Sequence, residues 1–352
     1  MTKATYFIGI DLHKTVVQVC VLDERGEVSE EFRVRLATEA DGQEVLRRLA
    51  RWQTTGRFVV EALGLNRWLV NACQQAGFTI VVADAVKLSV KRFGKKTDRQ
   101  DARELARRLW IGDIDRYARS YYPSDEEYGV RKVVRVRHQL VGIRQQVGNQ
   151  IRALLNAYLV PSPGTALYAA SSLKTLTGME LPTADLTLCL QTLVTTLRQL
   201  QDSIEQLTKQ IRHRAKATPV QALETQLPSV GPQTALTLHY ELGDLRRFEN
   251  AKQVCAYAGL VPRVANSGDT QHHGRLTKRG NPELRWIVSE WAVRLLALDP
   301  QARGWARPRL RRMHQNKVRM ALARRLLAGV YVSQTRGEEF SLERCLAAKG
   351  RE

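Results

Sequence analysis

Acids are scarce in this chain, and its cysteines are few and unorganised. There are 35 Asp and Glu against 55 Lys and Arg, a formal net charge of +20 at pH 7. Such an imbalance costs self-repulsion unless a polyanion offsets it, so nucleic acid is the expected partner. An anionic membrane surface would call for a basic amphipathic helix with large apolar residues opposite, or a lipidation signal, and neither is visible. The five cysteines, Cys20, Cys73, Cys189, Cys255 and Cys345, are odd in number and never form a C-x-x-C pair. That argues against a disulfide framework or a structural zinc site and for reduced core thiols. The uncharged stretch 153–173 is broken by Pro161, Pro163 and Gly164, which excludes a membrane span. Asp11 arrives too early for a signal peptide. The expectation is a cytoplasmic, nucleoid-associated protein with no membrane partner. With 352 residues, 43% of them hydrophobic, the chain is long enough for a full core and two or more domains.

The few acids are not spread evenly. In Lys95-Lys96-Thr97-Asp98-Arg99-Gln100-Asp101-Ala102-Arg103 two carboxylates three residues apart sit inside a cationic segment with helical character. Asp98 and Asp101 would project from one helix face, repelling one another unless a cation lies between them. Thr97 as a cap with two acids in the first turn is equally an ordinary favourable helix start. Upstream, residues 6–11, 16–23 and 31–36 are β-rich runs, with residues 24–27 as a hairpin connection. A helical pattern over 40–52, a strand at 57–61, a helix near 65–75 and a strand at 78–82 follow. Three strands, then helix, strand, helix, strand, is the element order of an RNase H-like sheet. There the first and fourth strands are central neighbours, which would bring Asp11 and Glu61 together, with the helix bearing Asp98 and Asp101 closing over them. Four converging carboxylates are untenable empty but stable around one or two Mg²⁺ ions, with Mn²⁺ as a possible substitute. Two such ions suit phosphodiester transfer.

Beyond residue 116 the character changes. Between Glu127 and Glu180 there is no acid, while Arg131, Arg135 and further cations accumulate. Val133, Leu140, Val147 and Leu154 recur every seven residues with Val136 and Ile143 beside them, and Leu190, Leu197, Ile204 and Ile211 form a cleaner heptad run. A coiled coil contributing to self-association, as dimer or tetramer, is the favoured reading, and an antiparallel hairpin within one chain is the alternative. The segment 227–235 looks like a helix-hairpin-helix turn whose backbone N–H groups can approach a phosphate, although a plain helix start with Pro232 in its first turn reads almost as well. In residues 274–281 glycines punctuate cations, the composition of a phosphate-holding loop. Ser267, next to Gly268 and near Arg263, Arg275, Lys278 and Arg279, has the accessibility and positive surroundings a nucleophile toward phosphate needs, but a turn serine explains it as well. Residues 303–325 hold nine Lys/Arg and no acid, a nucleic-acid-binding face or tail.

Taken in order, Gly9-Ile10-Asp11-Leu12-His13-Lys14, Glu61-Ala62, Lys96 to Ala102, Ala256-Tyr257-Ala258-Gly259-Leu260-Val261-Pro262, Ser267-Gly268 and Gly274-Arg275-Leu276-Thr277-Lys278-Arg279-Gly280-Asn281 resemble the DEDD-type insertion-sequence transposases related to pilin-gene invertases. The likeness covers nearly the whole chain. It implies an α/β RuvC-like (RNase H-fold) domain over 1–116, a helical coiled-coil region over 117–217, a mainly α transposase domain over 218–335 and a tail over 336–352. It implies that Asp11, Glu61, Asp98 and Asp101 are the metal-binding tetrad and Ser267 the covalent nucleophile. It also implies a recombinase directed by a structured bridge RNA that pairs with donor and target DNA. Lys95, Lys96, Arg99, Arg131, Arg135, Arg263, Arg275, Lys278 and Arg279 are the expected nucleic-acid contacts. Asp269 sits awkwardly beside the proposed nucleophile. A hydrolytic RuvC-like junction endonuclease and a non-catalytic nucleic-acid-binding protein are the alternative functions; neither uses Ser267.

Overall fold

The computed structural model describes residues 5–84, 87, 97–267, 270–276 and 279–347, with the backbone alone at 165, 262–267 and 270–275. The chain divides into two units, Met1–Tyr122 and Pro123–Glu352.

The first unit is built on a five-stranded sheet of β1 (Tyr6–Leu12), β2 (Val16–Leu22), β3 (Val28–Arg35), β4 (Gly56–Glu61) and β5 (Thr79–Ala83), in the order β3-β2-β1-β4-β5. β1 pairs antiparallel with β2 and parallel with β4, so the first and fourth strands are neighbours, as the element order implied. Strand alternation sorts the side chains into two layers. Ile8, Ile10, Leu12, Val17, Val19, Val21, Phe58 and Val60 face α1 (Glu39–Leu49) and α2 (Arg67–Gln75), which contribute Val45, Leu49, Leu69, Val70 and Cys73. The opposite face, with Phe7, Cys20, Leu22, Val59 and Val81, is covered by α3 (Asp98–Trp110) through Ala102, Leu105, Ala106 and Leu109.

α3 lies against β1 because Gly9 has no side chain. A Cβ there would stand 2.1 Å from the Ala102 carbonyl oxygen and 2.4 Å from the Ala106 nitrogen. Its start is set by Thr97, whose hydroxyl accepts from the Gln100 N–H, as the sequence suggested. Its lateral position is fixed by Glu31 on β3, which accepts from Arg99 Nε at 2.8 Å and Arg103 Nε at 2.6 Å.

The second unit begins with α4 (Asp125–Ala157), a short α5 (Ala170–Thr177) and α6 (Ala184–Arg214). α4 and α6 run antiparallel against one another. Val130 and Val134 meet the Ile211 end of α6, while Val147, Ile151 and Leu155 share a cluster with Leu190, Val194 and Leu197. The favoured coiled coil between protomers is thus corrected: the heptad seam of α6 is buried inside one chain, because the 158–183 connection lets α6 fold back. On α4 the buried hydrophobic positions are Val130, Val134, Val147, Ile151 and Leu155, whereas Val136 and Ile143, read as accompanying the seam, are exposed.

The remaining helices are α7 (Thr218–Gln226), α8 (Pro232–Leu242), α9 (Ala251–Tyr257), α10 (Pro282–Leu298), α11 (Pro300–Leu310), α12 (Gln315–Arg336) and α13 (Leu342–Ala347). α8 is central, with Thr234 to Leu238 buried without a break. α10 and α12 pack around it through Leu284, Ile287, Val288, Trp291, Leu322, Leu326 and Val330, and α4 and α6 lend Val130, Val134 and Ile211 to the same core. Between α9 and α10 stands a hairpin of β6 (Pro262–Ser267) and β7 (Thr270–Leu276), where the sequence suggested only a loop. The expected tail is folded as far as α13, whose Cys345 is buried. Cys20, Cys73 and Cys255 are buried too, while Cys189 is exposed. Burial pushes the Cys73 thiol up to about 12 and that of Cys255 up to about 11. Among the described residues no helix is long and apolar enough to cross a membrane.

The Glu31 clamp gives a pH signature. Hydrogen bonding from Arg103 and Arg99 holds the Glu31 carboxyl down at about 2 against an ordinary value of 4.5. Because the folded state lowers this pKa, its stabilisation is complete above pH 4.5, falls as pH drops, and is lost below about 2. Glu31→Gln should cost about 1 kcal/mol near neutral pH, the arginines being exposed, and should flatten the acid limb of the stability profile between those values, as read by denaturant melts across pH.

Candidate metal centre and nucleic-acid surface

The same alternation that builds the first unit's layers also aims its acids. On β1, Phe7, Gly9 and Asp11 face α3; on β4, Val59 and Glu61 do so. The parallel register ends at Ile10 opposite Val60, so Asp11 and Glu61 are the next residues along the two neighbouring strands. Across the sheet this row continues through Gln18 on β2, paired with Asp11, to Arg33 on β3, paired with Gln18. α3 begins above this row, which puts the carboxylates of its first turn over Asp11.

Asp11 is 4% exposed and Asp101 7%. Burial pushes the Asp11 carboxyl above its ordinary value, nearby Asp101 and Asp98 push it the same way, and His13 pulls it down by charge and by hydrogen bonding. Asp98 and Asp101 thus both act electrostatically on Asp11. Glu61 shares their sheet row and face and is half-buried. Arg33 reaches within 3.9 Å of Asp98.

His13 joins this group although the residue pattern gave it no role. Its Nε2 lies 3.1 Å from Asp11 Oδ2 and 3.4 Å from Asp98 Oδ1. Donor atoms of Asp11, His13 and Asp98 all fall within 4.8 Å of one another, a spacing one cation can span. The Asp-x-His spacing was the available signal, since residues two apart on a strand share a face. A buried carboxylate held among further carboxylates and an imidazole fits a divalent cation, whose charge would relieve the repulsion felt by Asp11.

Three of the expected nucleic-acid contacts, Arg99, Arg131 and Arg135, also bond within the protein. Arg131, 7% exposed, donates to the Tyr240 carbonyl at 2.7 Å. Arg135 forms a two-pronged pair with Glu241, both bonds 2.8 Å. These two cations tie α4 to α8, and Arg135 finds its counter-charge on Glu241, 1% exposed. Arg99 is likewise held by Glu31. Arg279 is exposed. Lys95, Lys96, Gly268, Asp269 and Lys278 lie outside the described residues, as do the side chains of Arg263, Ser267 and Arg275. The backbone places Ser267 at the last position of β6, paired with Thr270 across the hairpin end.

The base of that hairpin is closely held. The Asn281 N–H donates to the Tyr257 carbonyl at 2.7 Å, and a Cβ on Gly280, whose φ is +112°, would meet that oxygen at 2.3 Å. Asn281 caps α10 and donates from Nδ2 to Glu241 at 2.6 Å, joining the Arg135 pair. His138 stacks on Trp286 at 3.7 Å and meets Glu283 at 3.0 Å.

The helix-hairpin-helix reading falls on the turn before α8. Ser229 adopts φ +60°, the Trp291 indole donates to the Pro228 carbonyl at 2.8 Å, and Gly231 with Pro232 starts α8. Beside that start lies an open cleft of about 340 Å³ lined by Arg137, Arg212 and Arg294, with Glu290 as its acid. Burial, Arg144 and Arg212 all push the Arg137 pKa down, which marks a locally crowded positive field. On α11, α12 and the turn between them, Arg303, Arg307, Arg311, Arg312 and Lys317 are exposed.

Comparison with known proteins adds an independent line. A DEDD transposase profile of the IS110 type matches residues 8–160, and that of the transposase IS116/IS110/IS902 family matches residues 221–307. The chain is 28% identical over 346 residues to a transposase for insertion sequence element IS1111A of Coxiella burnetii, covering 96% of this chain and 92% of that protein. It is 29% identical over 328 residues to a probable family 20 transposase of Pseudomonas aeruginosa, covering 90% and 93%. A 94-residue stretch, 25% of this chain and 29% of the relative, is 35% identical to the pilin gene-inverting protein of Moraxella bovis. With one profile on the acidic row of the RNase H-like sheet and the second on the segment that carries Ser267, the chain belongs to the IS110/IS116 family of DEDD transposases.

Proposed function

We propose that this transposase cuts and rejoins DNA strands through a phosphoserine intermediate formed by Ser267, with Mg²⁺ held by Asp11, Glu61, Asp98 and Asp101 and with a structured bridge RNA selecting donor and target DNA. The observation that carries the reading is the buried Asp11 carboxylate with Asp98 and Asp101 above it, all on the α3 face of the sheet. When bound, the ion supplies Lewis-acid stabilisation to the charge that builds on the phosphate oxygens. The chain's own residues do the rest. The four carboxylates would hold and orient the ion, and among them Asp11 is the buried one. The Ser267 oxygen forms a bond to phosphorus as the bond to the leaving sugar oxygen breaks, and the serine proton ends on that sugar hydroxyl. Attack by a hydroxyl of the second strand reverses the exchange and frees the serine. The end of a two-stranded hairpin, gripped at its base by Asn281 and Tyr257, suits such a nucleophile, since a rigid support lowers the entropy of alignment. A homo-oligomer, dimer or tetramer, sharing sites between protomers, would bring several strands together, and cytoplasmic, nucleoid-associated action follows from DNA as substrate.

Three outcomes are expected. Asp11→Asn should lower Mg²⁺-dependent cleavage by on the order of 10³-fold. Its metal-free melting temperature should stay level or rise, because a neutral amide removes a buried charge that its neighbours repel; full cleavage activity in this variant would refute the metal assignment.

Ser267→Ala should abolish the covalent protein–DNA adduct seen on denaturing gels. Mixed with Asp11→Asn chains, it should regain strand exchange if sites are shared between protomers. An adduct that persists in Ser267→Ala means another nucleophile.

Phosphate contacts at the α8 cleft and along α11 and α12 should make DNA affinity steeply salt-dependent. Arg212→Gln and Arg294→Gln should each reduce the log-log slope by about 0.9 without altering the melt. An unchanged slope in the double variant would remove the cleft from the binding surface. Bridge RNA should outcompete random duplex of equal length.

A further inference from the structure

We propose that His13 is a nitrogen ligand to the divalent ion held by Asp11 and Asp98, which makes the centre a mixed nitrogen–oxygen site that gains affinity for Mn²⁺ relative to Mg²⁺. The inference rests on the metal reading above and deepens it.

The sheet sets the position of the imidazole. Asp11 and His13 are two residues apart where β1 ends, so both project to the α3 face. The backbone there is fixed by the antiparallel turn, since the His13 N–H donates to the Val16 carbonyl at 2.8 Å. From this anchor Nε2 stands 3.1 Å from Asp11 Oδ2 and 3.4 Å from Asp98 Oδ1. For metal–ligand bonds near 2.1 to 2.2 Å, neighbouring donors of an octahedral ion lie about 3 Å apart, so the donors that hydrogen-bond in the metal-free site already stand at a separation one ion can bridge. The side chains differ in exposure in the order such a site needs: Asp11 is 6% exposed beneath, while His13 at 45% and Asp98 at 41% form the rim. A hydrated ion can therefore reach the buried carboxylate while both rim groups replace waters.

Imidazole is a borderline donor that suits first-row transition ions, whereas Mg²⁺ prefers oxygen and keeps its waters. The nitrogen should thus add to Mn²⁺ affinity and leave Mg²⁺ affinity nearly untouched. The alternative is an outer role, with the imidazole hydrogen-bonded to a ligating carboxylate and never touching the ion. A spectroscopic test separates the two.

Mn²⁺ is titrated into the full-length, metal-free protein and followed by electron paramagnetic resonance, with Mg²⁺ affinity taken from competition. Pulsed measurements on the bound ion should reveal coupling to a directly bonded ¹⁴N. His13→Ala should erase that coupling and weaken Mn²⁺ about tenfold while changing Mg²⁺ less than about threefold. His213→Ala, an exposed histidine on α6, should leave both unchanged. Should His13→Ala fold poorly, His13→Gln keeps a hydrogen-bonding side chain without the imidazole nitrogen and should lose the same signal. Mn²⁺ binding that Asp11→Asn removes, with no ¹⁴N coupling or with a coupling His13→Ala leaves intact, overturns the nitrogen ligand and keeps the carboxylate centre. Mn²⁺ binding indifferent to Asp11→Asn, or no binding at all, overturns the carboxylate centre as well.

Discussion

The close approach of α3 to β1 is the constraint on which the acidic centre depends. Gly9 removes the one side chain that would hold the helix off the sheet, and Ala102 and Ala106 present small faces to it. Glu31 pins the helix sideways through Arg99 and Arg103. Neither contact is catalytic, yet together they hold the first turn of α3 over Asp11. The cost is visible in the raised pKa of Asp11, whose burial and acidic neighbours disfavour its charge. Strain of this kind, stored in like charges, is characteristic of sites that expect a cation.

In the second unit a buried ionic knot has the corresponding structural part. Glu241 at 1% exposure, paired with Arg135 and accepting from Asn281, links α4, α8 and the start of α10. A buried pair contributes little net stability but is costly to break, so it favours one arrangement over others. Here the arrangement selected includes the base of the β6–β7 hairpin, because Asn281 also bonds the Tyr257 backbone. Positive charge is divided accordingly: part of it holds the unit together, and part, on α11, α12 and beside the start of α8, remains exposed.

How much of this could be read from residues alone differs by element. The strand and helix runs, the Thr97 cap and the shared face of Asp98 and Asp101 follow from local patterns, since strand alternation and helix spacing are short-range geometry, whereas the neighbouring of β1 and β4 was legible only through the order of the elements. The heptads of α6 gave its buried stripe correctly, but a seven-residue repeat does not say whether the partner helix belongs to the same chain. On α4 the repeat Val133, Leu140, Val147 and Leu154 met the buried stripe at Val147, its companions Val136 and Ile143 are exposed, and packing buried Val130, Val134 and Ile151 as well.

The sequence by itself determined the identity of the acids, their faces and the basic excess, because composition, periodicity and capping act within a few residues. Only the tertiary structure decided which cations are free. Arg135 meets Glu241 across 106 positions and Arg131 meets the Tyr240 carbonyl across 109, pairings that no local pattern encodes. It alone brought His13 to Asp98, by laying the start of α3 over the end of β1. Local chemistry sets what a residue can do; long-range packing sets which partner it finds.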